Sequence, residues 1–159
     1  NTIVATSHSK DLGLAGERIG YVAVNPDNKN KAEIIDGLTF SNRVLGFVNA
    51  PALMQHLITH LQNETVNIEQ YKLNRDFLWG NLTEIGYEVI KPQGAFYMFP
   101  KSPIEDDVDY VNKLRENNVL VVPGSGFGSP GYFRISYCVD KHTLTHCIDG
   151  FRKVFQDHQ

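Results

Sequence analysis

Residues 2–6, Thr2-Ile3-Val4-Ala5-Thr6, form a short β-favouring run and predict a strand that ends just before Lys10. A second strand is expected over Arg18-Ile19-Gly20-Tyr21-Val22-Ala23-Val24, closed by the polar turn Asn25-Pro26-Asp27-Asn28. Within 31–45, Ile34, Ile35 and Leu38 share one side of a short helix, followed by a loop through Asn42 and Arg43. Pro51 suits a first helical position with Asn49 as its cap, and Leu53, Leu57 and Leu61 make a stripe on that helix. The longest periodic run, 65–85, carries Ile68, Tyr71, Phe77, Leu78, Leu82 and Ile85 and predicts a long helix stopped by Gly86. About twenty residues at ~1.5 Å rise span ~30 Å, enough to join two domains.

From residue 87 the period changes. Strands are expected over 87–90, 95–99, 119–122 and 132–138, with helices over 106–117 and from 141 onward, an order that reads as a compact α/β domain. The 159 residues, 42% hydrophobic, supply one good core, and the net charge of -3 gives no electrostatic reason to expect nucleic acid. No apolar run reaches the about 20 residues that span a bilayer, and no basic-then-apolar leader opens the sequence, so no membrane partner and a cytoplasmic location are expected. Cys138 and Cys147 make no disulfide framework for a chain of this size, which fits a reducing compartment.

Candidate chemistry gathers in Ser7-His8-Ser9-Lys10 and in Gly16-Glu17-Arg18-Ile19-Gly20-Tyr21. A lysine amine at a strand end can form an imine with a carbonyl. A guanidinium stays charged and meets phosphate bidentately, Ser7 and Ser9 add hydroxyls, and Gly16 and Gly20 let the backbone bring Arg18 back toward them. Such a set suits an aldehyde cofactor that carries a phosphate. Taken alone, Lys10 reads more readily as a surface lysine at a strand end. Two later segments stand out beside it: Pro92-Gln93-Gly94-Ala95-Phe96-Tyr97-Met98-Phe99, and Val121-Val122-Pro123-Gly124-Ser125-Gly126-Phe127-Gly128 with Tyr132-Phe133-Arg134-Ile135-Ser136 after it.

In this order the three segments resemble the class I/II aminotransferases of fold type I, aspartate aminotransferases above all. The resemblance implies an α/β fold of which this chain is the C-terminal part: the end of the large cofactor domain over 1–50, linking helices over 51–86, and a small α/β domain over 87–159. It implies pyridoxal 5'-phosphate as cofactor, held by Lys10 through an imine, with Ser7, Ser9 and Arg18 on the phosphate. Lys10 is then also the catalytic residue, moving a proton at the substrate Cα. By the same resemblance Arg134 grips the substrate α-carboxylate and Gly94 lets the backbone approach the substrate. Arg43 lies near where aspartate-specific relatives carry a second arginine, donated by the neighbouring subunit to a distal carboxylate, although residues 40–46 depart from their local pattern. Each has an ordinary reading too: Arg134 as a strand arginine reaching solvent or a carboxylate, Gly94 as a bend before a strand, Arg43 as an interface or solvent-facing residue.

The implied activity is transfer of an α-amino group from an amino acid to a 2-oxo acid, aspartate type, in a homodimer. Family members are usually more than twice this long, so the chain is expected to lack the N-terminal part of the large domain and to be inactive alone. Its first about 45 residues, without their neighbouring strands, are expected to expose apolar edges. The same scaffold serves C–S lyases, decarboxylases and effector-sensing domains of transcription regulators, which the lysine and arginine motifs do not separate.

Other patterns carry less. Ser7-x-x-Lys10 has none of the companion motifs of penicillin-binding enzymes, and Gly124-x-Gly126-Phe127-Gly128 reads as a strand-connecting turn rather than a dinucleotide loop. Cys138, His142, His146 and Cys147 do not follow a known metal-ligand spacing, with Cys147 expected in a core beside Ile148 and Phe151, so no metal is expected. His56 and His60 lack the intervening Glu of a zinc helix and read as solvent-facing.

Overall fold

The computed structural model describes residues 2–158, and the chain divides between Val66 and Asn67 into two compact units. The outermost residues of the segments expected at 1–50 and 87–159, Asn1 and Gln159, lie outside the described residues.

In the first unit, β1 (Ile3–Ser7) and β2 (Gly20–Val24) pair antiparallel in a register running from Ile3↔Val24 to Ser7↔Gly20. Between them lie one helical turn, α1 (His8–Asp11), and a 3-10 turn at Ala15–Glu17. Asn25 and Asn28 then accept the amides of Asp27 and Asn30, both at 2.9 Å, and lead the chain into α2 (Lys31–Val44). Asn42 and Arg43 are helical, not the expected loop. Their polarity is that of a helix surface, and the helix stops where Gly46 takes φ 82°.

Pro51 is the residue before α3 (Ala52–Ile58), held extended at ψ 129°, and no side chain caps this helix, so Asn49 has no capping role. Of the expected stripe, Leu53 and Leu57 are on the exposed face and Leu61 lies beyond the end of the helix. Met54 and Ile58 are the buried pair, packing with Ile19 against Leu12, Leu14 and Ala50. That small cluster leaves Ile3, Val4, Tyr21 and Val22 of the hairpin about half exposed, as expected for strands without neighbours, and Phe47 75% exposed.

The second unit is built on α4 (Ile68–Ile85), capped by Asn67 Oδ1 accepting the Gln70 amide at 3.1 Å and ended by Gly86 at φ 116°. Its eighteen residues run ~27 Å. Leu78 and Leu82 enter a core with Tyr87, Tyr110, Phe133, Phe151 and Phe155, and α5 (Asp107–Glu116) and α6 (Lys141–Gln156) close over it. The sheet is antiparallel in the order β3 (Tyr97–Met98), β5 (Phe133–Ser136), β4 (Val122–Pro123). Residues 87–90, expected as a strand, form no strand. Tyr87 stays on the end of α4 through its amide to Leu82 O, and Lys101 ties the segment to the sheet side, its N–H donating to Glu88 O at 2.9 Å and its Nζ lying 3.2 Å from Glu88 Oε2. Asn74 holds the other end of the sheet, its amide donating to Tyr137 O at 3.0 Å and Val139 O at 2.9 Å. No helix among the described residues is long and apolar enough to cross a membrane.

Candidate active-site elements

Four of the expected residues lie on the segments that flank one end of the hairpin, Ser7, Ser9 and Lys10 at the end of β1 and Arg18 before β2. β1 runs extended to Ser7, whose Oγ accepts the Ser9 amide at 3.2 Å and so starts the turn that carries Lys10. Ser7 Oγ and Ser9 Oγ lie 2.7 Å apart, hydrogen-bonded to each other. The register sets Gly20 opposite Ser7, where an added Cβ would stand 2.3 Å from Thr6 O; only glycine lets the strands close here. Two residues upstream, Arg18 takes the left-handed conformation at φ 51° and its Nη1 donates to Ala15 O at 2.7 Å. Ser7 thus ends one strand of this hairpin, with Ser9 and Lys10 just after it, and Arg18 precedes the other.

His8, which sequence reasoning quoted without a role, is the anchor of this turn. It is buried, its amide donates to Ile19 O at 3.0 Å, and its Nδ1 lies 3.0 Å from Asp11 Oδ2. Asp11 O in turn accepts the Val66 amide at 2.9 Å and Thr65 Oγ1 at 3.0 Å. The signal available in the sequence was the His8/Asp11 spacing of one helical turn. A concavity of about 850 Å³ opens between the hairpin and α2, with Thr6, Arg18, Tyr21 and Asn42 in its walls. Arg43, in the last turn of α2, is exposed and does not line it.

Arg134 and Gly94 belong to the second unit. Along β5 the side chains alternate: Phe133 and Ile135 enter the core while Arg134 takes the other face. Pairing of Tyr97 with Ser136 puts Tyr97 on that same face. The Arg134 guanidinium carbon lies 4.5 Å from the Tyr97 ring centre and 4.0 Å from that of Phe127. Gly94 precedes β3 at a bend where an added Cβ would meet nothing within 4 Å, and Ala95 beside it takes φ 57°, its carbonyl accepting from Tyr137 Oη at 3.0 Å.

Asp107 fixes the glycine-rich segment that carries Phe127. Its buried carboxylate accepts the Ser125 amide at 2.8 Å and, more weakly, the Gly131 amide at 3.4 Å. Burial by itself would raise this carboxyl, but the hydrogen bonds from Ser125 and Gly131 outweigh it and hold the group below the ordinary carboxylate range. The segment is the expected strand-connecting turn, a 3-10 turn at Gly124–Phe127. Lys91 and Arg75 hold Asp76 at 3.0 and 2.8 Å, and Arg75 Nη1 also donates to Pro92 O, pinning the approach to Gly94. Cys147 packs against the core beside Ile148 and Phe151, its thiol pushed up to about 11 by burial.

The family model for aminotransferase class I and II matches residues 1–151. Aspartate aminotransferase of Bacillus subtilis is 31% identical over 99% of this chain and 42% of its own length. Among solved structures, an amino transferase from Eubacterium rectale superposes with a TM-score of 0.87 at 45% identity, over 100% of this chain and 40% of that one. A Thermus thermophilus aspartate aminotransferase variant complexed with tryptophan gives a TM-score of 0.83 at 26% identity, over 96% of this chain and 41% of its own. The chain therefore spans about two fifths of the length of the relatives it matches, and its fold is the corresponding part of the fold-type I transferase fold. With most of its sequence under the family model and its backbone superposing on these enzymes, the chain belongs to the class I and II aminotransferases.

Proposed function

We propose that this chain is the part of an aspartate-type aminotransferase that carries the cofactor lysine and the carboxylate-binding arginine, in an enzyme that moves an α-amino group from an amino acid to a 2-oxo acid. The observation that supports this reading is the β1–β2 hairpin, whose register sets the Ser7-Ser9-Lys10 turn after β1 beside the Arg18 segment that leads into β2. A primary amine beside two hydroxyls and a guanidinium fits an aldehyde that bears a phosphate, so these residues suit pyridoxal 5'-phosphate. That cofactor, when bound, supplies the electron sink that makes a substrate Cα–H acidic.

This chain's own groups do the rest. Ser7, Ser9 and Arg18 hold the phosphate, and Lys10 Nζ takes the Cα proton and returns it. Arg134 binds the α-carboxylate and so fixes the amino acid in the plane that reaction needs. Gly94 leaves the substrate side of the bend without a side chain, and Arg43 reaches a distal carboxylate in the partner's site of a homodimer. In that enzyme, residues 1–50 close the large domain, 51–86 link it, and 87–159 form the small domain. A cytoplasmic location completes the reading, and the similarity to the Bacillus subtilis aspartate aminotransferase supports the substrate type.

The test is incubation of the chain with pyridoxal phosphate, borohydride reduction and peptide mapping of the pyridoxyl adduct. Saturable labelling confined to Lys10, lost in Lys10→Ala and weakened about tenfold in Arg18→Ala, is the expected result, a charged phosphate contact being worth about 1.4 kcal/mol or more. Labelling spread over many lysines sinks the reading of this hairpin as half of a cofactor site.

A further inference from the structure

We propose that Tyr97 and Phe127 are positioning residues for Arg134, their rings holding the guanidinium in one orientation so that its N–H fork meets a substrate carboxylate already aimed. The inference rests on the reading of Arg134 as the carboxylate-binding residue. Both rings lie against the guanidinium carbon, at 4.5 Å for Tyr97 and 4.0 Å for Phe127. An aromatic face attracts the cation through its quadrupole and competes little for the N–H donors, which stay available at the edge of the group. Among the described residues no acidic side chain forms an ion pair with Arg134, so its charge is left for a ligand to match.

The rings are themselves held. Tyr97 sits in the β3–β5 pair opposite Ser136. Phe127 meets Phe99 edge-on, with centroids 6.1 Å apart at 89°, and its turn hangs from the Asp107 carboxylate through Ser125 and Gly131. A long side chain loses several rotatable bonds when it binds, and one already fixed by its neighbours loses less. The device thus raises carboxylate affinity without adding a contact to the ligand.

The experiment uses the 159-residue chain labelled with ¹⁵N, pyruvate as the probe carboxylate, and the Arg134 Nε–Hε resonance, identified by its absence from Arg134→Gln. In the wild type this proton is expected well away from its free-arginine position because of ring currents, and pyruvate shifts it further. Phe127→Leu and Tyr97→Leu should each return the resonance toward the free-arginine position and weaken pyruvate by about fivefold or more, while Phe127→Tyr keeps both within about twofold. Phe127 is 46% exposed, so its replacement leaves the fold in place, as the backbone amide spectrum will report.

A wild-type Hε at the free-arginine position overturns the proposal without any variant. If the leucine variants bind pyruvate like the wild type while Arg134→Gln does not, the rings have no positioning role and Arg134 keeps its own. Pyruvate binding unchanged in Arg134→Gln removes the reading of Arg134 and the proposal with it.

Discussion

Asp107 shows what a single side chain can hold in place. It is the second acidic residue of Asp106-Asp107, and the two divide the work: Asp106 Oδ1 caps α5 by accepting the Val108 and Asp109 amides, while Asp107 turns inward to Ser125 and Gly131. Replacing it by alanine leaves two amides without their charged acceptor and should cost about 2 kcal/mol, read as a lower urea midpoint of the second unit. The folded-state carboxyl is held below its ordinary value, so its contribution is complete above that ordinary value, near pH 4, and fades as pH falls through the folded one. The gap between wild type and Asp107→Ala should therefore narrow in acid; a gap that stays constant from neutral pH down to about pH 2 would contradict this account. The sequence offered two adjacent aspartates at a helix start but no way to tell which one faces inward.

At the scale of elements, α4 divides into a face that carries stability and one that does not. Leu82 is fully buried, whereas Leu73 is 64% exposed. Leu82→Ala should cost about 2–5 kcal/mol in urea unfolding, and Leu73→Ala no more than about 0.5 kcal/mol. Long helices were legible because their ends carry their own chemistry: Asn67 and Asp140 cap, and Gly86 stops. What sequence could not supply was the side that tertiary structure chooses. Leu53 and Leu57 are as apolar as Met54 and Ile58, yet only the second pair finds Ile19 to pack on. Residues 87–90 have strand-like composition but no neighbouring strand with a matching ladder, and the expected strands at 95–99 and 119–122 shrink to Tyr97–Met98 and Val122–Pro123. That Lys10 lies just past the first strand was legible from its residues. The aromatic setting of Arg134 was not, because it joins residues from two distant motifs through strand register.

For the molecule as a whole, the two units differ in what holds them. Among the described residues, three buried apolar side chains form the core of the first unit and sixteen that of the second, so the second should open at much higher free energy. Hydrogen exchange followed by mass spectrometry on the intact chain is expected to protect peptides from α4, α5 and α6 far longer than those from β1, β2 and α2. Equal protection would mean that the hairpin and α2 are stabilised by more than the packing seen here. One feature at the joint between the units gives the division a mechanical meaning. Val66, the last residue of the first unit, and Thr65 before it are bonded to Asp11 O, the residue next to Lys10. Tension along the backbone at Asn67 is thus borne by two hydrogen bonds on the very turn that carries Lys10, and a pull at that joint loads that lysine's own support.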